Sequence, residues 1–186
     1  MIILEGTDNT GKTTLAQDLV ARFHHLGLYM VKSPGSGPTL GDWIIKELKK
    51  NDQAAIYDRF FFSEYVYGPV LRGKVCYTRT QDPEMVRLMC KAQPVVIWCS
   101  RPPERIAVSF DEREQMEGVV DNLKQIEEKY QQVMLGYLYL LRYFVKYDYE
   151  QPSNLKNVCM VIQKYFLDRL GFSANFEVYN SRSTSP

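Results

Sequence analysis

Residues 5–14 of the sequence, EGTDNTGKTT, follow directly on the apolar run MIIL at residues 1–4. Residues 6–13 fit the pattern G-x-x-x-x-G-K-[ST]. Glycines at both ends let the backbone wrap tightly enough for its N–H groups to point at phosphate oxygens. An ordinary glycine turn is the simpler alternative, but the strand-like run before the loop and the helical spacing after it favour a phosphate-binding loop (P-loop).

The pattern assigns a role to each side chain of this loop. Lys12 is expected to reach the β- and γ-phosphates of a nucleotide, and the Thr13 hydroxyl to coordinate Mg²⁺. The helix that begins here adds unpaired N–H groups and a dipole that attract anions. The predicted ATP-binding residues are Gly6, Asn9, Thr10, Gly11, Lys12, Thr13 and Thr14.

Composition argues against several other classes of protein. The chain has 186 residues, enough for one domain with a sizeable core, and its formal net charge is +1, so no overall field favours nucleic acid or a membrane. No apolar run approaches the roughly 20 residues that a membrane span needs. The first residues carry neither a basic segment nor a cleavage site, so no secretory signal is expected.

The four cysteines are scattered along the chain, with no C-x-x-C pair among them. We expect reduced thiols in the cytoplasm (the host cytoplasm if the protein is viral) rather than a disulfide or a zinc site. They are Cys76, Cys90, Cys99 and Cys159.

Predicted strands alternate with predicted helices along the rest of the chain. The strands are residues 1–4, 28–31, 54–57, 94–100 and 144–149. The helices are residues 13–26, ending at Gly27, then 40–50, 59–68, 83–92, 119–141 and 155–170. Asp82 and Pro83 are predicted to begin the fourth of these, and residues 119–141 to form the longest.

Such alternation predicts an α/β fold, a three-layer α/β/α P-loop NTPase with a five-stranded parallel sheet. Residues 1–172 would form a single domain with a short lid at about 101–118, and residues 173–186 a polar tail. Ligands of such folds bind at the carboxyl ends of the strands.

A second motif, IYDRFFFSEYVYG, covers residues 56–68. Asp58 closes an apolar strand, where a carboxylate is well placed for Mg²⁺ or a metal-bound water. Arg59 can present a planar fork to a second phosphate. A surface Asp–Arg pair is the alternative, which the nearby P-loop disfavours.

Together these motifs resemble the thymidylate kinase family of nucleoside monophosphate kinases, and especially its compact bacteriophage members. GTDNTGKTT at residues 6–14 matches the family's G-x-D-x-x-G-K-[ST]-T, and DRFFFSEYVYG at residues 58–68 is similar to D-R-Y-x-x-S-x-x-A-Y. VKSPGSGPTLGDWI at residues 31–44 and RPPERI at residues 101–106 match less specific segments. The resemblance covers roughly residues 1–145.

The resemblance implies roles for individual residues. Asp8 would hydrogen-bond the 3′-hydroxyl of the acceptor deoxynucleotide, and Arg59 would clamp its phosphate. Asp58 would work with Mg²⁺ and the acceptor. Tyr67 would lie near the deoxyribose and help to exclude a 2′-hydroxyl, whereas Ser63 is expected to cap and pack.

The sequence also departs from the family pattern. Some members carry a catalytic arginine where this chain has Asn9, and others supply it from the lid. SFDEREQMEGVVDN at residues 109–122 fits such a lid with Arg113 at its centre; Arg105 is a second candidate, and a solvated charge run is the alternative. Lys32 and Ser33 replace the family's Arg-Glu, which puts a phosphate contact there in doubt. The predicted catalytic residues are Lys12, Asp58 and Arg113.

The base of the acceptor is the least determined feature. Family members insert an extra helix near residues 45–55, with an aromatic side chain that stacks on thymine, and this chain is too short for it. Trp43 and the phenylalanines at 60–62 could substitute, but are more easily explained as core. The tyrosine-rich residues 137–150 are expected in the core and a subunit interface. The resemblance implies a homodimer.

The sequence thus favours ATP- and Mg²⁺-dependent phosphorylation of a deoxynucleoside monophosphate, with dTMP giving dTDP. One alternative is a deoxynucleoside kinase, but such enzymes carry an acidic base after the second strand, where this chain has KSP at residues 32–34. Another is a non-catalytic nucleotide-binding module that switches a partner. No motif for a partner is present, and Asp8 would then be unexplained.

Overall fold

Five parallel strands form one sheet in the computed structural model, which describes residues 1–108 and 118–171. They are β1 (Ile2–Glu5), β2 (Tyr29–Lys32), β3 (Ala55–Asp58), β4 (Val95–Cys99) and β5 (Tyr143–Tyr147). Their order is β2-β3-β1-β4-β5. The predicted five-stranded parallel sheet is therefore confirmed. The centre of the predicted lid, with Arg113, and the predicted tail at 173–186 lie outside the described residues.

Helices cover both faces of the sheet, as the α/β/α prediction requires. They are α1 (Lys12–Arg22), α2 (Leu40–Lys50), α3 (Phe61–Arg72), α4 (Gln81–Ala92), α5 (Pro103–Val108), α6 (Leu123–Tyr137) and α7 (Pro152–Leu170). One apolar cluster joins the sheet to α1 and α7, and the other joins it to α2, α3, α4 and α6. Among the described residues, no helix has the length and apolar character needed to cross a membrane.

The central strands are apolar throughout because both of their faces are buried. In β1, Ile2 and Leu4 pack in the cluster with α1 and α7, and Ile3 packs in the opposite cluster. All five residues of β4 are buried as well. Successive side chains of a strand point to opposite faces, so an unbroken apolar run is what a doubly covered strand needs.

The predicted start of α4 is wrong by about two residues. The helix begins at Gln81, not Pro83, because Thr78 and Gln81 cap each other. The Gln81 N–H donates to the Thr78 hydroxyl at 3.2 Å, and the Thr78 N–H donates to the Gln81 side-chain oxygen at 3.0 Å. Asp82 is no cap, and accepts a hydrogen bond from the Tyr65 hydroxyl.

The prediction of the longest helix is also wrong. Residues 119–141 do not form one helix: α6 starts at Leu123, because Gly118 adopts φ +78 and its carbonyl accepts the Asn122 side chain. A 3₁₀ turn, Leu138–Leu140, then ends it, and α7 is longer at 19 residues. The predicted end of the first helix at Gly27 is wrong by four residues: α1 ends at Arg22, and Gly27, with φ +64, ends the 3₁₀ turn His24–Leu26 that follows.

The strand order brings the two motifs side by side. β1 lies between β3 and β4, so the loop after β1 is flanked by Asp58 on one side and by residues 100–102 on the other. All these segments leave the sheet at the carboxyl ends of its strands, which is where ligands of such folds bind.

Candidate active site

The loop after β1 is shaped by two glycines in conformations that other residues rarely adopt. Gly6 has φ +142, and a Cβ there would lie 2.0 Å from the Cys99 carbonyl oxygen of β4. Gly11 has φ +78, and a Cβ there would lie 2.8 Å from the Tyr149 ring. The loop is thus pressed between the sheet and the segment after β5, and the glycines are needed for both reasons.

Lys12 is buried, with 6% of its surface exposed. Its ammonium donates to the Thr7 carbonyl at 2.5 Å, and the Thr7 hydroxyl in turn donates to Glu127 of α6. Burial, and next to it the charge of Arg59, lower the pKa of Lys12 to about 8. A phosphate in the loop would supply the anion that this desolvated cation lacks.

Thr13 and Asp58 bring two oxygen ligands together. The Thr13 hydroxyl donates to Asp58 Oδ2 at 3.0 Å. Asp58 Oδ1 is buried and has no hydrogen-bond partner within residues 1–108 and 118–171. In that same part of the chain no three His, Cys, Asp or Glu side chains are grouped to hold a metal. A hydroxyl and one carboxylate nevertheless suit Mg²⁺, which keeps several waters and binds substrate phosphates.

Arg59 lies at the centre of the second motif, and its backbone has φ +67. Its guanidinium donates to Asp8 Oδ1 at 2.6 Å and to the Tyr130 hydroxyl at 3.1 Å, and it lies 4.6 Å from the centre of the Tyr67 ring. The Tyr67 hydroxyl donates to Asp8 Oδ2 at 3.4 Å. The three residues predicted to bind the acceptor are therefore in mutual contact.

Charges set the protonation of Asp8. Burial would raise the pKa of this carboxyl, but the positive charges of Arg59 and Lys12 outweigh it, and the pKa lies below its usual value. Asp8 is therefore a carboxylate at neutral pH, able to accept a hydroxyl in place of Arg59.

One cavity of about 430 Å³ joins the two motifs. Three cations, Lys12, Lys32 and Arg59, face it together with the carboxylates of Asp8 and Asp58. The remaining lining residues are Asn9, Gly11, Thr13, Thr14, Ser33 and Gly35. Of the other predicted site residues, Gly6 and Thr10 belong to the loop but do not line the cavity, and the buried Thr10 hydroxyl donates to the Thr7 carbonyl at 2.8 Å.

A second cavity, of about 600 Å³, lies between the segments that follow β4 and β5 and the first half of α6. The Arg101 side chain on its wall is buried, pairs with Glu150, and stacks 4.2 Å from the centre of the Tyr149 ring. Its Nε and Nη1 atoms have no hydrogen-bond partner among the described residues. Arg105, the second lid candidate, is exposed and also pairs with Glu150.

Three buried charged residues were missed by the sequence analysis. Arg101 follows β4 at the carboxyl edge of the sheet, and this position in the sequence could have marked it as a candidate site residue. Glu127 lies on the apolar stripe of α6, and burial raises its pKa to about 7. Glu5 ends β1, and its carboxylate accepts the N–H groups of Phe60, just before α3, and of Phe62 in its first turn, so the capping role predicted for Ser63 belongs to Glu5. Ser63 itself is buried, as predicted, and donates to Glu5.

The aromatic residues considered as a base platform are largely core. The phenylalanines at 60–62 are buried, and Trp43 is half-buried, with its ring 5.4 Å from that of Phe60. In the tyrosine-rich segment, Tyr143 and Tyr147 are buried, whereas Tyr139 is 82% exposed. The subunit interface and the homodimer stay predictions.

Comparison with solved structures agrees with this architecture. The YorR protein of Bacillus subtilis, in complex with phosphorylated GDP, has a TM-score of 0.66 and 23% identity over 90% of this chain and 96% of that one. Deoxyadenosine kinase of M. mycoides with bound dCTP has a TM-score of 0.55 and 16% identity over 89% of this chain and 98% of that one. Shikimate kinase of Acinetobacter baumannii in complex with shikimate has a TM-score of 0.52 and 15% identity over 91% of this chain and 94% of that one.

No protein-family model matches the sequence, and a search of curated proteins finds no significant match. At these identities the structural likeness shows the fold alone. The chain has the α/β fold of P-loop kinases, and these matches do not show thymidylate kinase in particular.

Proposed function

We propose that this protein transfers the γ-phosphoryl group of ATP to a deoxynucleoside monophosphate, with dTMP as the acceptor and dTDP as the product. The carrying observation is the cavity of about 430 Å³, which is lined both by the P-loop lysine and by the Arg59–Asp8 pair. A donor phosphate and an acceptor phosphate would meet there between fixed cations.

The donor side consists of the loop backbone, Lys12 and Thr13. When bound, Mg²⁺ would neutralise the phosphates of ATP, and Thr13 and Asp58 would hold it. An oxygen of the acceptor phosphate attacks the γ-phosphorus, the bond to the β–γ bridging oxygen breaks, and ADP leaves. Lys12 stabilises the charge that moves onto the leaving oxygen, and for that role it must be protonated.

The acceptor side requires an exchange of partners. Arg59 and Asp8 now satisfy each other, and an incoming nucleotide offers a phosphate to the guanidinium and a 3′-hydroxyl to the carboxylate. Tyr67, which touches both, would border the deoxyribose. The assignment of dTMP comes from the resemblance to thymidylate kinases, because the described aromatic residues do not form a platform for one base.

Lys32 supports a phosphate-bearing acceptor over a nucleoside. Nucleoside kinases carry a carboxylate after the second strand, and this chain places a cation there that lines the cavity. The deoxyadenosine kinase neighbour shares the fold, so a deoxynucleoside kinase is the second candidate. A non-catalytic nucleotide-binding module would not explain why the Asp8–Arg59 pair lines the same cavity as the P-loop.

A lid arginine would complete the site. Arg113 is proposed for this role, which would bring its charge to the transferring group only when the lid closes. Arg105 is held against Glu150 and would have to leave it to serve instead.

The test is release of ADP from ATP and Mg²⁺ with a panel of deoxynucleosides and their monophosphates. We expect turnover with dTMP and none with thymidine, and no turnover by Lys12→Met. Efficient use of a nucleoside would establish the second candidate instead. ATP binding without turnover on any acceptor would favour the non-catalytic module.

A further inference from the structure

Glu5 is a buried carboxylate that does not line the acceptor cavity, yet it is bound to the turn that carries Arg59. Its side chain has no exposed surface. Its Oε1 accepts the Phe60 N–H at 2.9 Å and the Phe62 N–H at 3.1 Å, and its Oε2 accepts the Ser63 hydroxyl. The first turn of α3 is thus capped from β1, 55 or more residues away.

This cap is needed because the helix has no other at its start. Phe60, the residue before α3, offers no side-chain acceptor. The first N–H groups of a helix have no partner within it, and here they lie in the apolar core. Leaving such buried donors unpaired is costly, so the carboxylate fixes where α3 begins.

Arg59 precedes this cap in a backbone conformation that it would not choose by itself. Its φ of +67 is unfavourable for a residue with a Cβ. Its N–H donates to the Leu4 carbonyl at 2.9 Å. Two successive residues of β1 therefore clamp the turn, Leu4 on the arginine and Glu5 on the residue after it.

A second chain of hydrogen bonds reaches the guanidinium itself. The Ser63 hydroxyl, which donates to Glu5, lies 2.9 Å from the Tyr130 hydroxyl. Tyr130 accepts Arg59 Nη1 at 3.1 Å. Glu5 is thus linked to Arg59 through the backbone of the turn and also through side chains.

We propose that Glu5 is the positioning residue for Arg59, holding its guanidinium in the acceptor cavity without contacting the substrate. The role assigned to Arg59 rests on the proposed function, but its placement by Glu5 does not. The inference therefore has one readout that requires turnover and one that does not.

The kinetic readout compares Glu5→Met, which keeps size and removes the acceptor oxygens, with Glu5→Gln, which keeps one of them. We expect Glu5→Met to lower kcat/KM for dTMP by about 10–100-fold through Arg59, and Glu5→Gln to restore part of the loss. The KM for ATP should change less than about twofold, since the hydrogen bonds of the Glu5 carboxylate go to the turn and the start of α3 and none of them goes to the P-loop.

Glu64→Gln is the matched control. Glu64 is a second buried glutamate, and it lies on α3. Its carboxylate accepts hydrogen bonds from the Arg72 guanidinium at 2.6 Å and from the Cys76 N–H at 2.7 Å, away from the cavity. The Glu64→Gln substitution should lower the melting temperature and leave the ratio of the KM for dTMP to the KM for ATP unchanged. If it lowers kcat/KM for dTMP as much as Glu5→Met does, Glu5 has a merely structural role.

The decisive comparison repeats Glu5→Met in an Arg59→Ala background. If Glu5 acts through the guanidinium, the second substitution has little further effect on kcat/KM for dTMP. Full additivity overturns the inference. Should Glu5→Met not fold, Glu5→Gln takes its place, with an expected loss of about two- to tenfold.

The readout without substrate is the Arg59 Nε–H resonance in NMR spectra, assigned by its disappearance in Arg59→Lys. It should shift or broaden in the folded Glu5 variants and stay in place in Glu64→Gln. If wild type turns over no acceptor, the proposed function fails while this readout still decides the placement. An unmoved resonance in the Glu5 variants overturns the placement.

Discussion

The P-loop and the Asp58–Arg59 turn lie next to each other, joined by the hydrogen bond from Thr13 to Asp58 at 3.0 Å, but they are held in shape by different means. Glycines at positions 6 and 11 let the loop adopt its course locally. The turn puts a positive φ on an arginine, which is less suited to it than the asparagine that has φ +60 in the loop, Asn9, and the turn is stabilised by Leu4 and Glu5 of another strand. A contiguous motif therefore accounts for much of the first shape, whereas the second depends on contacts from another strand.

The largest expected effect breaks the P-loop side. Lys12→Met fills the buried volume and removes the charge, so phosphoryl transfer should fall by about 10³-fold or more while the melting temperature changes little. Turnover and thermal unfolding measured on the same preparation check this. Turnover near that of wild type would remove the central role of the loop.

The next effect breaks the turn side. Arg59→Ala removes a charge-assisted fork from the acceptor phosphate, so kcat/KM for dTMP should fall by about 10²–10³-fold with the KM for ATP nearly constant. Arg59→Lys keeps the charge without the fork and should be intermediate. A harmless Arg59→Ala, together with use of thymidine, would favour a nucleoside kinase.

A smaller effect sharpens the comparison at Asp8, which belongs to the loop by sequence and contacts the turn. Asp8→Ala should lower dTMP turnover about ten- to a hundredfold, since a charge-assisted hydrogen bond is worth roughly 1.5–3 kcal/mol, and ATP affinity should stay. The loss of the Arg59 partner adds to this, so the specific measurement is a cycle with 3′-deoxy-dTMP as the second acceptor. Zero coupling would mean that Asp8 does not sense the 3′-hydroxyl.

The smallest effect concerns the pH dependence of the free energy of unfolding, through Glu127, which contacts the P-loop at Thr7. Burial raises the pKa of Glu127 to about 7 from its ordinary 4.5, so the folded state binds more protons than the unfolded state between these values. Stability should therefore fall as pH rises from 5 to 7, by about 2 kcal/mol at most. Urea unfolding of wild type and Glu127→Gln at several pH values checks this. A decline of equal size in the variant would assign it to another group.

The fold was predictable because its determinants are local. The apolar runs of β1 and β4 mark strands that are buried on both faces, and the glycine pattern marks the loop between β1 and α1. The errors fall where a side chain decides the boundary: the reciprocal Thr78–Gln81 cap moved the start of α4, and the Gly118 turn shortened α6.

The residues brought together at the cavity were predictable for the same reason, since the carboxyl ends of β1 and β3 are neighbours. Glu5, Arg101 and Glu127 were missed because their partners are distant in sequence. Thr7 and Glu127 are 120 residues apart, and Glu5 and Phe60 are 55 apart. A charged residue beside an apolar run carries no mark of the partner that it will meet.

The clamp of β1 on the Arg59 turn has a consequence for how the two halves of the site can evolve. The glycine pattern of the P-loop lies within nine adjacent residues, 6–14, so it can be inherited as one piece. The placement of Arg59 is shared by Glu5, Ser63 and Tyr130, and with Arg59 itself these residues come from three separate segments, β1, the turn with the start of α3, and α6. Under the proposed function, loss of one of these residues should change the use of the acceptor before it changes the use of ATP, so divergence should begin at the turn.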